Sequence, residues 1–179
     1  MTGSRALLVA TALQSVLAAV LVGRGAVTFV RAPLADAIGV LAGVAIGFVS
    51  YRLLAARDVS APRRAGRGAI VALAVVYTAI SVAEEILWRG YAFDRVAASR
   101  GALVALVVTT AGFAIVHGIP QGYAGVRFHL VTGLVFGLTL LATSSLAGAA
   151  AAHVAYNLAV LIGTVAPRKG AFHDPLAVG

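Results

Sequence analysis

Three groups of polar residues interrupt an otherwise apolar chain, and each is made of side chains that do chemistry. The first is Glu84 and Glu85 followed by Arg89, the second is Phe113 with His117, and the third is His153 with Asn157. A carboxylate can take a proton from water, an imidazole can share or return it, and an amide can donate hydrogen bonds to developing negative charge. An ionisable side chain at membrane depth costs about 2.5–3.5 kcal/mol even on the mildest scale. Two adjacent glutamates inside a hydrophobic stretch therefore imply a use for at least one of them.

Spacing divides the roles. Glu85 and Arg89 are four residues apart with the acid first, the favourable order for a helical ion pair, so the pair reads as structural. Glu84 projects about 100° away around the same helix. It lies beyond easy reach of the same arginine and is left as the candidate general base. His153 and Asn157 share one helical face. Each residue alone has an ordinary explanation. A core histidine can simply be satisfied, an asparagine can join helices, and Phe113 and Trp88 read as packing. His129 and His173 read as incidental, one at a loop mouth and the other in the tail. The combination is what points to a site.

Long helices must position these groups. The chain has 179 residues, of which 61% are hydrophobic and 11% charged, with mean hydropathy +0.99. Soluble domains average about 45–50% apolar and about 25% charged residues, so this chain lacks the polar surface to coat a water-soluble globule. A spanning helix needs about 20 apolar residues. Candidate spans are 6–22, 34–56, 69–98, 101–118, 127–142 and 144–165, which predicts an all-α, polytopic membrane helix bundle with about six transmembrane helices. The 6–22 stretch reads as an uncleaved first helix and not a secretory signal, because further membrane-length segments follow it. Residues 118–125 (GIPQGYAG) read as a polar loop. The organisation expected is an N-terminal two-helix segment over 1–68, a core over 69–165 and a short tail over 166–179. The two N-terminal spans show no motif.

Depth lets the three groups meet. If 69–98 and 101–118 form a hairpin turning near Arg100, Glu84 and His117 each lie about 25 Å from that turn at about 1.5 Å per residue. His153 and Asn157 fall at roughly 13–20 Å below the turn near Ser144 on the same arithmetic.

The formal net charge of +8 sits mostly in short loops and reads as the positive-inside bias of membrane proteins, not as nucleic-acid binding. With six spans, Arg5, the cluster Arg52, Arg57, Arg63, Arg64 and Arg67, and then Arg127, Arg168 and Lys169 fall on one side. Arg24, Arg31, Arg95 and Arg100 fall on the other, with Arg89 if it lies that far out. The expectation is cytoplasmic termini in a prokaryotic plasma membrane. There is no cysteine, so disulfides and thiolate metal sites are excluded.

The series E-E-x-x-x-R, F-x-x-x-H and H-x-x-x-N, in that order and each on a hydrophobic helix, resembles the CPBP family of intramembrane proteases. That family includes the type II CAAX prenyl proteases and the bacteriocin-processing or Abi proteins. The resemblance covers roughly residues 69–165. It implies hydrolysis of a peptide bond in a membrane-associated protein or peptide, either a CAAX-type substrate or a leader peptide. By position it makes Glu84 and His117 the pair that activates water and His153 and Asn157 the donors to the oxyanion. Glu85, Arg89 and Phe113 are supporting residues. The implied partners are a protein or peptide substrate in the membrane and the lipid bilayer. The resemblance is to a family described both as glutamate-type and as metal-dependent; the glutamate type is the preferred reading, and zinc held by Glu84, His117 and His153 is the alternative, although the H-E-x-x-H spacing of soluble zinc proteases is absent. Two rival readings are a proton-coupled transporter, which buried Glu and His also build, and a non-catalytic membrane scaffold or immunity protein. The first needs a continuous polar path, which 6–22 and 34–56 do not offer.

Overall fold

The structure is a computed structural model, and it describes residues 2–27, 32–55 and 66–165. The described residues are almost entirely helical. Helix α1 spans Thr2–Gly23, α2 Pro33–Leu54 and α3 Arg67–Glu85. A π-helical segment, Ile86–Ala92, continues α3 directly into α4, Phe93–Arg100. Helix α5 spans Ala102–Thr143 and α6 Leu146–Val165. Closed helices are the solution lipid imposes, because every backbone N–H and C=O must then be satisfied within the segment. The outer faces agree with that setting: Leu34, Leu41 and Leu53 on α2 and Leu103 and Val107 on α5 are exposed. The core is instead lined by Ala, Phe and buried polar groups. The chain is an all-helical integral membrane protein.

Helix length and apolarity by themselves do not establish the expected count of about six spans. Four helices among the described residues are long and apolar enough to cross a membrane: Pro33–Leu54, Arg67–Arg100, Ala102–Thr143 and Leu146–Val165. In the first expected span, only Ala12–Gly23 stands out, as a shorter apolar helix. One departure is at 118–125, expected as a loop. That stretch stays helical on both sides of one residue, so the expected spans 101–118 and 127–142 become two halves of α5.

The exception inside α5 is Gly122, at φ 69 and ψ −164, two residues after Pro120. Proline removes a helical hydrogen bond and glycine takes the left-handed backbone without strain, so together they break the helix. A straight helix of 42 residues would be about 63 Å long, twice the hydrocarbon thickness. The halves fold back instead. A Cβ on Gly133 would lie 3.0 Å from the Phe113 ring and 3.5 Å from Thr110, and one on Gly137 would strike Leu106. Residues 20 apart would be about 30 Å apart on a continuous helix, so α5 is a helical hairpin.

Around this hairpin the remaining helices set the depth of the site. Helix α6 runs antiparallel to α3: Asn157 meets Ser81, His153 meets Glu85, and Leu146 packs near Gly90. The first half of α5 also runs antiparallel to α3, with Gly112 against Trp88 and His117 against Glu84. Helix α2 lies parallel to α6, and the sequence reason is a glycine repeat, Gly39–x3–Gly43–x3–Gly47. Added Cβ atoms there would strike Ser145, the Gly148 carbonyl and the Ala152 carbonyl respectively. Small residues four apart let two membrane helices approach to backbone contact, and this stripe seats α2 along the helix that carries His153 and Asn157. At its upper end the buried Asp36 accepts a hydrogen bond from the Ser145 hydroxyl, and its other oxygen accepts one from the Ala32 N–H at 2.9 Å. Ser145 in turn accepts the Gly148 N–H at 3.0 Å, an N-cap for α6. Most of the basic stretch 57–68 and the tail 166–179 lie outside the described residues.

Candidate active site

The site begins where α3 gives way to the π-segment. A π-helix is wider by about one residue per turn and is used mostly at functional places. Here it follows Glu84 and Glu85 immediately, and both stay buried together with Ile86, Arg89 and Gly90. Arg89 Nη1 donates to Glu85 Oε1 at 2.9 Å, and both side chains are 0% exposed. Arg89 Nη2 reaches across the bundle to donate to the Gly133 carbonyl at 2.8 Å. Gly133 matters as glycine, since a Cβ there would sit 3.3 Å from that guanidinium. The faces of Phe113 and Phe136 lie 4.6 and 5.8 Å from the Arg89 carbon, in cation–π range. A fully desolvated guanidinium is thus held by one carboxylate, one carbonyl and two rings.

Glu84 sits one residue earlier and faces elsewhere. Its Oε1 lies 3.5 Å from His117 Nε2, and its Oε2 lies 3.8 Å from His153 Nε2. Each imidazole is anchored by its other edge. His117 Nδ1 donates to the Phe113 carbonyl at 2.8 Å, and His153 Nδ1 donates to Glu85 Oε1 at 2.9 Å. Both rings thus turn Nε2 towards the same carboxylate. His153 also stacks on Phe136, centroids 4.4 Å apart at 20°. Glu84 and His153 are buried, while the His117 side chain keeps 18% of its surface, which leaves that edge of the centre open.

Glu84, His117 and His153 are thus brought together, with Glu85 and Arg89 directly behind. Phe113 packs against Trp88, His117 and Arg89. Asn157 is placed one turn away on α6, where its Nδ2 donates to the Ser81 hydroxyl at 2.8 Å. Ser81, whose hydroxyl donates a hydrogen bond to the Tyr77 carbonyl, was not singled out from the sequence. The expected division between the glutamates also needs refinement: Glu85 serves Arg89 and His153 through the same oxygen. His129 is not incidental in position. Its ring lies 4.0 Å from that of His117 at 30°, because the α5 hairpin brings residue 129 back beside residue 117. His173 lies outside the described residues. Glu84, His117 and His153 are donor types that zinc takes. Among the described residues, however, no group of three or more His, Asp or Glu side chains converges to hold a metal ion.

The fold and the centre define a class: a helical membrane protein whose bundle encloses a carboxylate flanked by two oriented imidazoles. A protein-family model described as type II CAAX prenyl endopeptidase, Rce1-like, matches residues 66–159, and the chain belongs to that family. No curated protein and no solved structure gives a significant match. The matched stretch contains all three polar groups. Membership implies CAAX-type intramembrane protease activity, and with it a protein or peptide substrate in the membrane.

Proposed function

We propose that this protein is a glutamate-type intramembrane endopeptidase in which Glu84 and His117 activate a water molecule. The observation that carries this reading is that two imidazoles, each anchored through Nδ1, present Nε2 to separate oxygens of one buried carboxylate. With Nδ1–H given to Phe113, neutral His117 has a lone pair on Nε2. A water beside it can donate one hydrogen to Glu84 and the other to His117. Glu84 takes the proton as the water oxygen bonds to the scissile carbonyl carbon. The negative charge that develops on the carbonyl oxygen is met by Asn157, whose amide has a second N–H beyond the one given to Ser81. His153 assists from Nε2, which faces the same carboxylate from the other side. Collapse breaks the C–N bond, and the proton held by Glu84 passes to the leaving amine.

The substrate is a membrane-associated protein or peptide, of the CAAX type or a leader peptide, cleaved at the level of the α5 turn. Both termini lie in the cytoplasm of a prokaryotic cell. The test is purified protein in detergent or liposomes with a fluorogenic prenylated peptide and a non-prenylated leader-type peptide. Cleavage by wild type and none by Glu84→Gln is expected. Full activity in Glu84→Gln overturns the base, and proton flux in liposomes without cleavage of any peptide overturns the enzyme.

A further inference from the structure

The hairpin in α5 places one unassigned histidine against the centre. His129 lies on the second half of α5, with its ring 4.0 Å from that of His117 and tilted at 30°, a close face contact. Phe113 packs on His117 from another side, centroids 4.3 Å apart at 47°, and closes a triangle of rings with His129 at 5.5 Å. His129 is itself held: Nε2–H donates to Gln121 Oε1 at 3.2 Å, and the Phe128 ring stands edge-on at 5.3 Å. Gln121 belongs to the turn, between Pro120 and Gly122. The His129 Nδ1 edge is buried and has no hydrogen-bond partner among the described residues.

A single hydrogen bond from Nδ1 to a carbonyl leaves an imidazole free to pivot about that bond. His117 has this one short hydrogen bond, with Nε2 a longer 3.5 Å from Glu84 Oε1, and is half-buried at the open side of the centre. Ring contacts must supply the rest of its orientation. We infer that His129 is a positioning residue: it stacks on His117 and keeps its Nε2 directed at Glu84, and Gln121 ties this contact to the α5 turn. His129 touches none of the reacting atoms in this scheme and acts through His117. The inference rests on the proposed role of His117 and adds a residue that the three motifs do not contain.

The test is steady-state kinetics on the full-length protein with the peptide that wild type cleaves. His129→Ala should lower kcat about 10- to 100-fold, the scale of a misplaced catalytic group, with KM within about twofold. His129→Phe retains a ring and should restore most of kcat. Gln121→Leu should fall between the two. In a His117→Ala background, His129→Ala should add nothing, because two residues acting through one contact are not additive. Unchanged kcat in His129→Ala, a KM-only effect, or full additivity with His117→Ala overturns the inference. An independent readout is NMR of histidine-labelled protein in micelles. The His117 ring-proton signal should move in His129→Ala and stay near its wild-type position in His129→Phe. If Glu84→Gln proves active, the proposed base fails by itself. The His117 signal then still decides the stacking role, and a signal indifferent to His129→Ala overturns it.

Discussion

At the residue scale, two neighbouring glutamates with the same side chain have different work. Glu85 is fully buried and shares one oxygen between Arg89 and His153, while Glu84 faces two imidazoles at longer range. Charge-assisted hydrogen bonds run at about 2.7–2.9 Å, so Glu85 has the distances of a fixed strut and Glu84 those of a group with a gap beside it. Glu85→Gln leaves Arg89 buried without its counter-charge, which costs about 3–5 kcal/mol. It should lower yield and melting temperature more than Glu84→Gln, which keeps shape and removes the base. Equal melting temperatures for the two variants would refute this division. Activity of wild type should also survive a strong chelator; loss restored by zinc, with about one zinc per chain measured, would replace the glutamate mechanism by a metal-dependent one.

Asn157 gives a second residue-scale prediction. An oxyanion donor acts only in the transition state, so Asn157→Ala should cost about 10²–10³ in kcat with KM nearly unchanged. Its amide is held by Ser81, so Ser81→Ala should give a smaller defect of the same kind. A rise in KM alone for either variant would make this face a substrate-binding surface. Much of the centre was legible in the sequence because helical periodicity is local arithmetic. The Glu85–Arg89 pair, the separate facing of Glu84 and the shared depth of Glu84 and His117 all follow from counting along helices. Ser81, His129 and the second bond of Glu85 did not follow, because each depends on which face of a partner helix arrives, and spacing within one helix is silent on that.

At the element scale, the glycine repeat of α2 explains why an N-terminal helix without catalytic residues belongs to the site. Gly43 and Gly47 bring α2 onto the backbone of α6 one and two turns below its capped start, and α6 holds His153 on its other side. Gly43→Val would force a branched side chain against the Gly148 carbonyl, where no flexible atom can yield. Overpacking of this kind costs about 1–3 kcal/mol or more. Thermal unfolding in detergent should show that loss together with reduced activity, because α6 must shift. Gly68→Val on α3, where an added Cβ meets nothing within 4 Å, is the control and should leave both unchanged. Equal effects at the two positions would show that the close approach is not what matters. The repeat was present in the sequence but carries a weak signal among so many glycines and alanines. Hydropathy found the helical stretches because length and apolarity are compositional. It misplaced the 118–125 stretch because Gly and Pro there break the axis at a single residue, Gly122, while the flanking turns stay helical. The π-segment leaves no periodic trace at all, since its extra residue is absorbed between Glu85 and Phe93.

At the scale of the whole molecule, the pairing of helices sorts the chain ends into two levels. Gly90 packs against Val27 and Leu146, and Gly39 packs against Ser145. The end of α1, the start of α2 and the start of α6 therefore share one side, and α4 runs on towards that side to the turn at Gly101. The end of α2, the start of α3, the Gly122 turn and the end of α6 share the other. Arg52, Arg67 and Arg127 belong to this second side, and the sequence joining α2 to α3 adds Arg57, Arg63 and Arg64. The first side has Arg24, Arg95 and Arg100. Lysine and arginine in short loops are retained in the cytoplasm, so the second side should be cytoplasmic, and His117, five residues before Gly122, would open towards it. Reporter fusions after Gly66 and after Gly179 should both read cytoplasmic. A fusion after Gly101 should read the opposite side. A non-cytoplasmic signal after both Gly66 and Gly179 would invert the protein and present the site to the other compartment. The same signal at Gly179 alone would mean that α3 and α6 are not separated by the even number of crossings that the α5 hairpin requires.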